Sequence, residues 1–377
     1  MKGNRLKVNG TILEWAVRRA GKTIEDYCAE NRDFRRWLDG SKLPTFRQAE
    51  DFARRLRVPF GYLFLDNPPQ ESMPIPFFRR SNSDLSDVNV RDLVMETADR
   101  QTWLSTYLAS IGSDRVSVVG SFLEETDERT LVRAMHDSLG LAEGWNQKSA
   151  SVSDAVSILV ESMEDKGIVV TFSGVVGLNN SRPIDVADCR GFALVDDYAP
   201  FIFVNSRDSK TAQLFTLVHE FAHLLLGHSS GVGGRDSDIE SSALERLCDR
   251  LAASFLVPEE DFRSVWELAE GDYSQLNKIF KVSRYVLARR AKELSLIGQT
   301  ELDRLYGQWN NEPLVRRSGK GGQFYMTAIR RTGRVFLIHL TNALNQHRLQ
   351  FTEAYGLVGM RGDSFHKLIA SKAFLGY

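Results

Sequence analysis

The stretch FTLVHEFAHLLLGH, Phe215–His228, places two histidines and a glutamate in an otherwise apolar segment. Its apolar residues recur at helical spacing, which predicts a helix that packs into a core. Because residues four apart lie on one face of a helix, His219 and His223 point the same way and Glu220 lies beside them. Burial of three unpartnered polar side chains is costly, so the pattern indicates that they share a partner.

The spacing is that of HExxH, in which two imidazoles bind zinc and the glutamate acts on a water molecule. The alternative, a pair of satisfied core histidines beside a surface carboxylate, leaves the three polar groups without a common partner. A catalytic zinc usually has three protein ligands and keeps the fourth position for water. The third histidine of a metzincin is excluded, because the required glycine and histidine positions hold Leu226 and Ser229.

The segment ALERLCDRLAASFL, 243–256, can supply the third ligand from a second helix. Glu245 and Asp249 lie four residues apart and face one way on this largely apolar helix. We expect Glu245 to be the ligand and Asp249 to accept a hydrogen bond from an imidazole N–H. Glu245 could instead pair with a neighbouring arginine on a solvated face. Glu240 is the reserve candidate, closer to the helix start.

Two further groups of polar residues lie near the motif. His228, at its end, could stabilise an oxyanion or cap the last helix carbonyls. Asp196, Asp197 and Tyr198 precede the segment PFIFVN and could line a cleft or form the turn between two strands. In both cases the structural interpretation is the simpler one.

The length, net charge and cysteine content of the whole chain limit the class of protein to which it can belong. Its 377 residues suffice for two or three domains, and its formal net charge of -1 argues against a protein that is basic throughout. Three separated cysteines, Cys28, Cys189 and Cys248, form no CxxC pair, which favours a reducing cytoplasm. No apolar run of about 18 residues and no apolar N-terminal segment is present, so we expect no membrane span and no signal peptide.

Changes in periodicity and composition predict an α+β fold that is mainly helical. Three short runs, 167–174, 190–197 and 200–205, are rich in β-branched and aromatic residues and predict strands of a short mixed or antiparallel sheet. Residues 316–324 are basic and glycine-rich, and we expect them to be mobile. The predicted segments are a helical domain at 1–68, a proline-rich linker at 69–90, the metal-binding domain at 91–258, a helical segment at 259–315 and a helical C-terminal region at 316–377.

These motifs resemble those of the ImmA/IrrE-type metallopeptidases. The resemblance rests on FTLVHEFAHLLLGH followed by ALERLCDRLAASFLVP, and on PFIFVN just upstream. The segments LRVPFGYLFLDNPP and MPIPFFR resemble the connection between an Xre-type helix-turn-helix and such a peptidase domain. The resemblance covers most of residues 1–300 and, more loosely, the tail.

The resemblance implies a small gluzincin-like core and zinc-dependent cleavage of a repressor, often itself a helix-turn-helix protein encoded nearby. His219, His223 and Glu245 match the ligands of one zinc ion, and Glu220 matches the catalytic acid/base. Asp249 stands where the family usually has asparagine, and either residue accepts a hydrogen bond from imidazole. A protein substrate is the expected partner, and DNA is the second candidate.

Nucleic-acid binding is the competing interpretation, with the zinc domain as a sensing or partner-binding module of an antitoxin-like regulator. Residues 1–80 carry 16 Lys/Arg against 10 Asp/Glu, a surplus typical of nucleic-acid binding. The part between Tyr27 and Trp37 is short for a turn and a full recognition helix. A second helix-turn-helix pattern covers 276–297. The candidate nucleic-acid contacts are Arg32, Arg35, Arg36, Lys42, Arg284 and Arg289.

Overall fold

The computed structural model of the protein describes residues 5–70, 73–75, 85–230, 239–269, 271–310, 323–371 and 374. Within these ranges the protein is mainly helical with one three-stranded sheet, so the predicted α+β class is confirmed. No helix in these ranges has both the length and the apolar character needed to cross a bilayer. Residues 316–322 of the segment expected to be mobile lie outside the described residues.

The elements follow in chain order. The helices are α1 (Gly10–Arg19), α2 (Ile24–Glu30), α3 (Phe34–Leu38), α4 (Phe46–Leu56), α5 (Leu85–Ser110), α6 (Glu128–Leu139), α7 (Val152–Glu164), α8 (Lys210–Leu225), α9 (Ile239–Leu256), α10 (Glu259–Leu268), α11 (Tyr273–Phe280), α12 (Arg284–Glu293), α13 (Gln299–Asn310), α14 (Phe324–Thr332), α15 (Arg334–Asn345), α16 (Phe351–Val358) and α17 (Gly362–Ala370). The strands are β1 (Val169–Ser173), β2 (Gly191–Leu194) and β3 (Phe201–Asn205).

Helices α1 to α4 enclose a hydrophobic core of their own. The ring of Phe34 is fully buried and stacks on that of Phe52, with centroids 5.6 Å apart. The Thr45 side chain and the Gln48 side chain form a capping box that starts α4. Helix α3 has only five residues, about one and a half turns, so it presents few side chains to any partner.

Helix α5 connects this N-terminal unit to the rest of the chain. It begins at Leu85, inside the segment 69–90 that the prolines predicted to be a linker. Val88 and Val90 are buried, and this packing extends the helix beyond the predicted start. The carboxylate of Asp92 binds Arg19 of α1 at 2.6 Å and Arg182, beyond β1, at 2.5 Å. One half-buried carboxylate therefore ties three parts of the chain together.

The sheet has the strand order β1-β3-β2, with β1 parallel to β3 and β2 antiparallel to it. Side chains alternate between the two faces, as the strand period requires. Ile202 and Val204 of β3 pack in one core with α7, α8 and α9, whereas Phe201 and Phe203 pack in a second core with α5 and α15. Both faces are covered, which explains why the three strands consist almost wholly of apolar residues.

The C-terminal helices supply much of the second core. Phe336 and Leu337 of α15 are fully buried, and α14 and α15 both contact β1. Gly333, between these helices, has φ +96°, and a Cβ at this position would lie 2.6 Å from Cγ1 of Val169. Helices α14 and α15, which lie almost wholly in the tail 325–377 in which the sequence shows no chemistry, therefore close one face of the sheet.

The first prediction concerns this close approach. Gly333→Ala is expected to lower the free energy of unfolding by at least about 1–3 kcal/mol, because alanine combines a strained backbone with a clash against β1. Thermal denaturation measures the change. Gly307→Ala in α13, where a Cβ meets no atom within 4 Å, is the control and should be neutral or slightly stabilising. An equally stable Gly333→Ala protein would contradict the packing of the C-terminal helices on β1.

Candidate metal centre

Helix α8 carries the HExxH residues and is anchored by the sheet beneath it. The Ser209 hydroxyl accepts a hydrogen bond from the amide of Ala212 at 3.2 Å and starts the helix. Leu217 and Phe221 are fully buried in the first core. Since its apolar side faces the sheet, α8 turns His219 and His223 towards α9, its most extensive neighbour.

Three predicted ligands meet between α8 and α9. His219 Nε2 lies 3.3 Å from His223 Nε2 and 3.2 Å from Glu245 Oε2, and His223 Nε2 lies 3.3 Å from Glu245 Oε1. This is a group whose ligand atoms could hold a metal ion. The His223 side chain is 1% exposed and that of Glu245 is 42% exposed, so the group opens to solvent on the Glu245 side. The three cysteines are free thiols and are not part of it.

The donor set fits zinc in both chemistry and size. Zinc binds imidazole nitrogen and carboxylate oxygen at about 2.0–2.2 Å, and a tetrahedron with such arms has edges of about 3.3–3.6 Å. The observed separations of 3.2 and 3.3 Å are close to these edges. Lone-pair atoms that face one another at this distance need protons or a cation between them. The arrangement therefore suits a single divalent ion with a fourth position open.

Asp249 contacts His219 at Nδ1, the ring nitrogen that does not face the other ligands. Its Oδ1 lies 3.2 Å from His219 Nδ1, within ion-pair distance although not aligned as a hydrogen bond. Its Oδ2 accepts a hydrogen bond from Arg289 of α12 at 2.9 Å. A proton on Nδ1 leaves the lone pair of Nε2 free for a metal. Arg289 was predicted to contact nucleic acid, and its contact with Asp249 gives it a role in the site that the sequence did not indicate.

The carboxylates of Asp249, Glu245 and Glu220 concentrate negative charge around His219. Burial lowers the pKa of His219, but the neighbouring carboxylates of Asp249 and Glu245 outweigh burial and raise the pKa to about 10. Burial raises the pKa of Glu245, and the two imidazoles lower it by more, so the net shift is downward. Both shifts show the group's affinity for positive charge, which a bound metal would satisfy in place of a proton.

Glu220 is buried beside the ligand group and points towards β2. Its Oε2 accepts a hydrogen bond from the Ser230 hydroxyl at 2.7 Å, and the same hydroxyl accepts one from the amide of Ala193 at 2.6 Å. Its Oε1 lies near Gly191, where a Cβ would stand 3.2 Å from it. Burial raises the pKa of Glu220. Ser230 is a site residue that the sequence did not reveal, since only the path of the chain after α8 brings it there.

The second prediction tests the support of His219. Asp249→Ala is expected to lower the affinity for zinc by about 10–100-fold, because His219 loses the group that orients its ring. Competition with a chelating dye measures the affinity. Asp303→Ala, which removes an exposed carboxylate from α13, is the control and should bind zinc like the parent. Parent-like affinity in Asp249→Ala would show that Asp249 does not orient the ligand.

The remaining candidates lie around the site or outside the described residues. His228 is exposed, and its backbone amide, rather than its ring, bonds to the carbonyl of His223. Asp196 forms the turn between β2 and β3, where its Oδ1 accepts hydrogen bonds from the amides of Tyr198 and Ala199 at 2.8 Å. Asp197 pairs with Arg115 at 3.0 Å. The side chain of Glu240 lies outside the described residues.

The candidate nucleic-acid contacts divide into two groups. Arg32, Arg35 and Arg36 are exposed around α3, and both Arg36 and Lys42 pair with Asp33. In the second helix-turn-helix pattern the two candidate cations, Arg284 and Arg289, are engaged within the protein. Arg284 lies over the ring of Trp309 at 4.9 Å, and Arg289 is bound to Asp249. The helix α12 thus supports the metal centre and α13, and only the first group remains available to phosphates.

One comparison with known proteins identifies a family for the central part of the chain. The comparison with curated proteins finds no match. A solved Mycobacterium tuberculosis transcriptional regulator matches with a TM-score of 0.30 and 15% identity over 51% of this chain, and the match spans about half of that chain. Residues 163–292, which hold the sheet, α8, α9 and α12, match the model of the IrrE N-terminal-like domain, peptidase family M78. This central part is similar to an IrrE/ImmA-like domain of the metallopeptidase type.

Proposed function

We propose that the protein is a zinc-dependent endopeptidase that cleaves a transcriptional repressor or a similar regulatory protein. The observation that carries the proposal is the group formed by His219, His223 and Glu245, with ligand atoms 3.2–3.3 Å apart and the buried Glu220 next to it in the chain. A structural zinc site is closed by four protein ligands and needs no further carboxylate beside it. The similarity of residues 163–292 to the IrrE N-terminal-like domain supports the peptidase class.

Each residue around the metal site would have a separate role in amide hydrolysis. Zinc, when bound, supplies a Lewis acid that lowers the pKa of water to about 7 and polarises a carbonyl. Ser230 holds Oε2 of Glu220, which leaves Oε1 to take the proton from the attacking water and to return it to the leaving amine. Asp249 and Arg289 keep the His219 ring in place. The solvent-exposed side of Glu245 is where a substrate would enter.

The decisive experiment uses purified, zinc-loaded protein and a candidate substrate. The repressor encoded beside its gene is the first to try, and mass spectrometry identifies the products. Cleavage at one bond that stops when zinc is chelated supports the proposal. An intact repressor, together with the absence of zinc-dependent cleavage of any other helix-turn-helix protein from the same cell, would overturn it.

The exposed arginines around α3 favour DNA binding as a second function. Three phosphate contacts predict weak binding without sequence preference, with log K falling against log[salt] at a slope of about -2.7. Titration of a labelled duplex at several salt concentrations measures this slope. The variant with Arg32, Arg35 and Arg36 all replaced by alanine should lose the binding. Equal binding by this variant, or none by the parent at low salt, would exclude a direct DNA role for α3.

A further inference from the structure

A second cavity lies away from the metal centre, between α5, the loop that follows β1 and α16. We call it the Glu96 cleft, after a carboxylate in its wall. Its volume is about 500 Å³, within the range of small-molecule sites. Glu96 and Arg100 of α5, Gly177 of the loop, and Gly356 and Leu357 of α16 all line it. It shares no residue with the ligand group of α8 and α9.

Two opposite charges face this cleft without pairing with each other. Arg100 is 6% exposed, and its Nε donates a hydrogen bond to the carbonyl of Leu357 at 2.8 Å. Among the described residues, the outer nitrogens of Arg100 and the carboxylate of Glu96 have no hydrogen bond and no ion pair within 4.0 Å. Burial raises the pKa of Glu96 and lowers that of Arg100, and the attraction between the two charges offsets only part of either shift. Unpaired charges that are taken out of water in this way are costly, so a bound partner would stabilise both.

The other charges of the wall narrow the chemistry of that partner. Arg182 also lines the cleft, but its guanidinium is engaged with Asp92 at 2.5 Å and with Asn89 at 3.1 Å. Asp99 is an exposed carboxylate at the rim. One guanidinium and one carboxylate therefore remain inside. A simple anion or a simple cation would satisfy only one of them, whereas a ligand with both charges satisfies both.

The glycines of the wall shape the space beside these charges. A Cβ at Gly177 would lie 2.9 Å from Oε2 of Glu96, so the backbone of the loop rests directly against the carboxylate. A Cβ at Gly356 would meet no atom within 4 Å, so a side chain there would enter open space. The apolar side chains of Val176, Leu178 and Leu357 form part of the lining, together with the polar side chain of Asn179. This leaves room for an aliphatic group next to the charged pair.

We propose that the Glu96 cleft binds a small zwitterion of the α-amino acid type, with its carboxylate on Arg100, its ammonium on Glu96 and its side chain against the apolar lining. The guanidinium fork suits a carboxylate, and an ammonium suits a carboxylate partner of its own. The binding is independent of the metal centre and of the peptidase activity.

The test is calorimetric titration of the full-length protein with each of the common free L-amino acids. At least one is expected to bind with a Kd below about 1 mM. Its N-acetyl derivative, which lacks the ammonium, and its amide, which lacks the carboxylate, should each bind at least about tenfold more weakly, because each leaves one buried charge unpaired. Failure of all the free amino acids to bind, or derivatives that bind as tightly as the free amino acid, would overturn the proposal.

Variants locate the binding in the cleft. Glu96→Gln should weaken binding at least about tenfold, since it removes the charge with little change in shape. Gly356→Leu should abolish it by filling the space. Glu353→Gln, on the exposed side of α16, is the control and should bind like the parent. Thermal denaturation verifies folding, and if Gly356→Leu does not fold, Glu96→Gln decides. Unchanged binding in Glu96→Gln would place the zwitterion outside the cleft and overturn the proposal.

Discussion

Glu220→Gln is expected to reduce cleavage of a protein substrate by about 10²–10⁴-fold and to leave the zinc content unchanged. Glutamine has nearly the shape of glutamate, and its carbonyl oxygen can still accept the hydrogen bond from Ser230. It cannot take a proton from water, so the loss measures general acid–base catalysis alone. The cleavage rate under kcat/KM conditions and elemental emission on the same sample provide the two readouts.

The control for this variant is Glu301→Gln, which changes an exposed carboxylate of α13 and should cleave like the parent. Two results would contradict the role of Glu220. Full activity of Glu220→Gln would remove it from the chemistry. Loss of zinc together with activity would show that the carboxylate supports the metal rather than the proton transfer.

His223→Ala is expected to abolish zinc binding and cleavage together. His223 is the most buried of the three ligands, and its Nε2 is within 3.3 Å of both other donors. In the parent, free zinc at about 1000 times its Kd should stabilise the folded state by about 4 kcal/mol, because the metal binds that state selectively. The variant should show no such zinc-dependent change.

Thermal denaturation with and without zinc measures this difference within each protein. The comparison within a variant matters, since removal of a buried ring also lowers stability through the space that it leaves. Glu220→Gln is the matched control, because it should retain the zinc-dependent shift. A His223→Ala protein that zinc stabilises as much as the parent would place the ion elsewhere.

The sequence predicts contacts between residues that lie on the same regular element. The i, i+4 geometry of a helix brings His219 and His223 together, and the same geometry relates Glu245 to Asp249. The first helix carries histidines on an otherwise apolar surface and the second carries acids, and this pattern predicts that α8 and α9 face each other. The structure brings these four residues together. The three strands also follow from local composition, and the structure places them at 169–173, 191–194 and 201–205.

Contacts that depend on tertiary packing could not be predicted from the sequence. Ser230 reaches Glu220 because the chain turns back along β2 after α8, and no local pattern encodes that path. Arg289 resembles a phosphate contact on a basic helix, but the packing of α12 on α9 directs it to Asp249. The Glu96 cleft joins α5 to α16, which are about 250 residues apart in the sequence. No local pattern predicts that the charges of α5 and the glycine of α16 lie at the same cavity.

The cover that α14 and α15 form over the sheet has a consequence for the order of folding during synthesis. The N-terminal unit has its own core and can fold early, as domains do when they emerge first. The sheet, by contrast, cannot fully bury Phe201 until α15, which places Phe336 against it, has left the ribosome. The sheet is therefore covered on this face only after α15 has been synthesised, and a nascent chain that is stalled before α15 exposes the ring of Phe201 to chaperones.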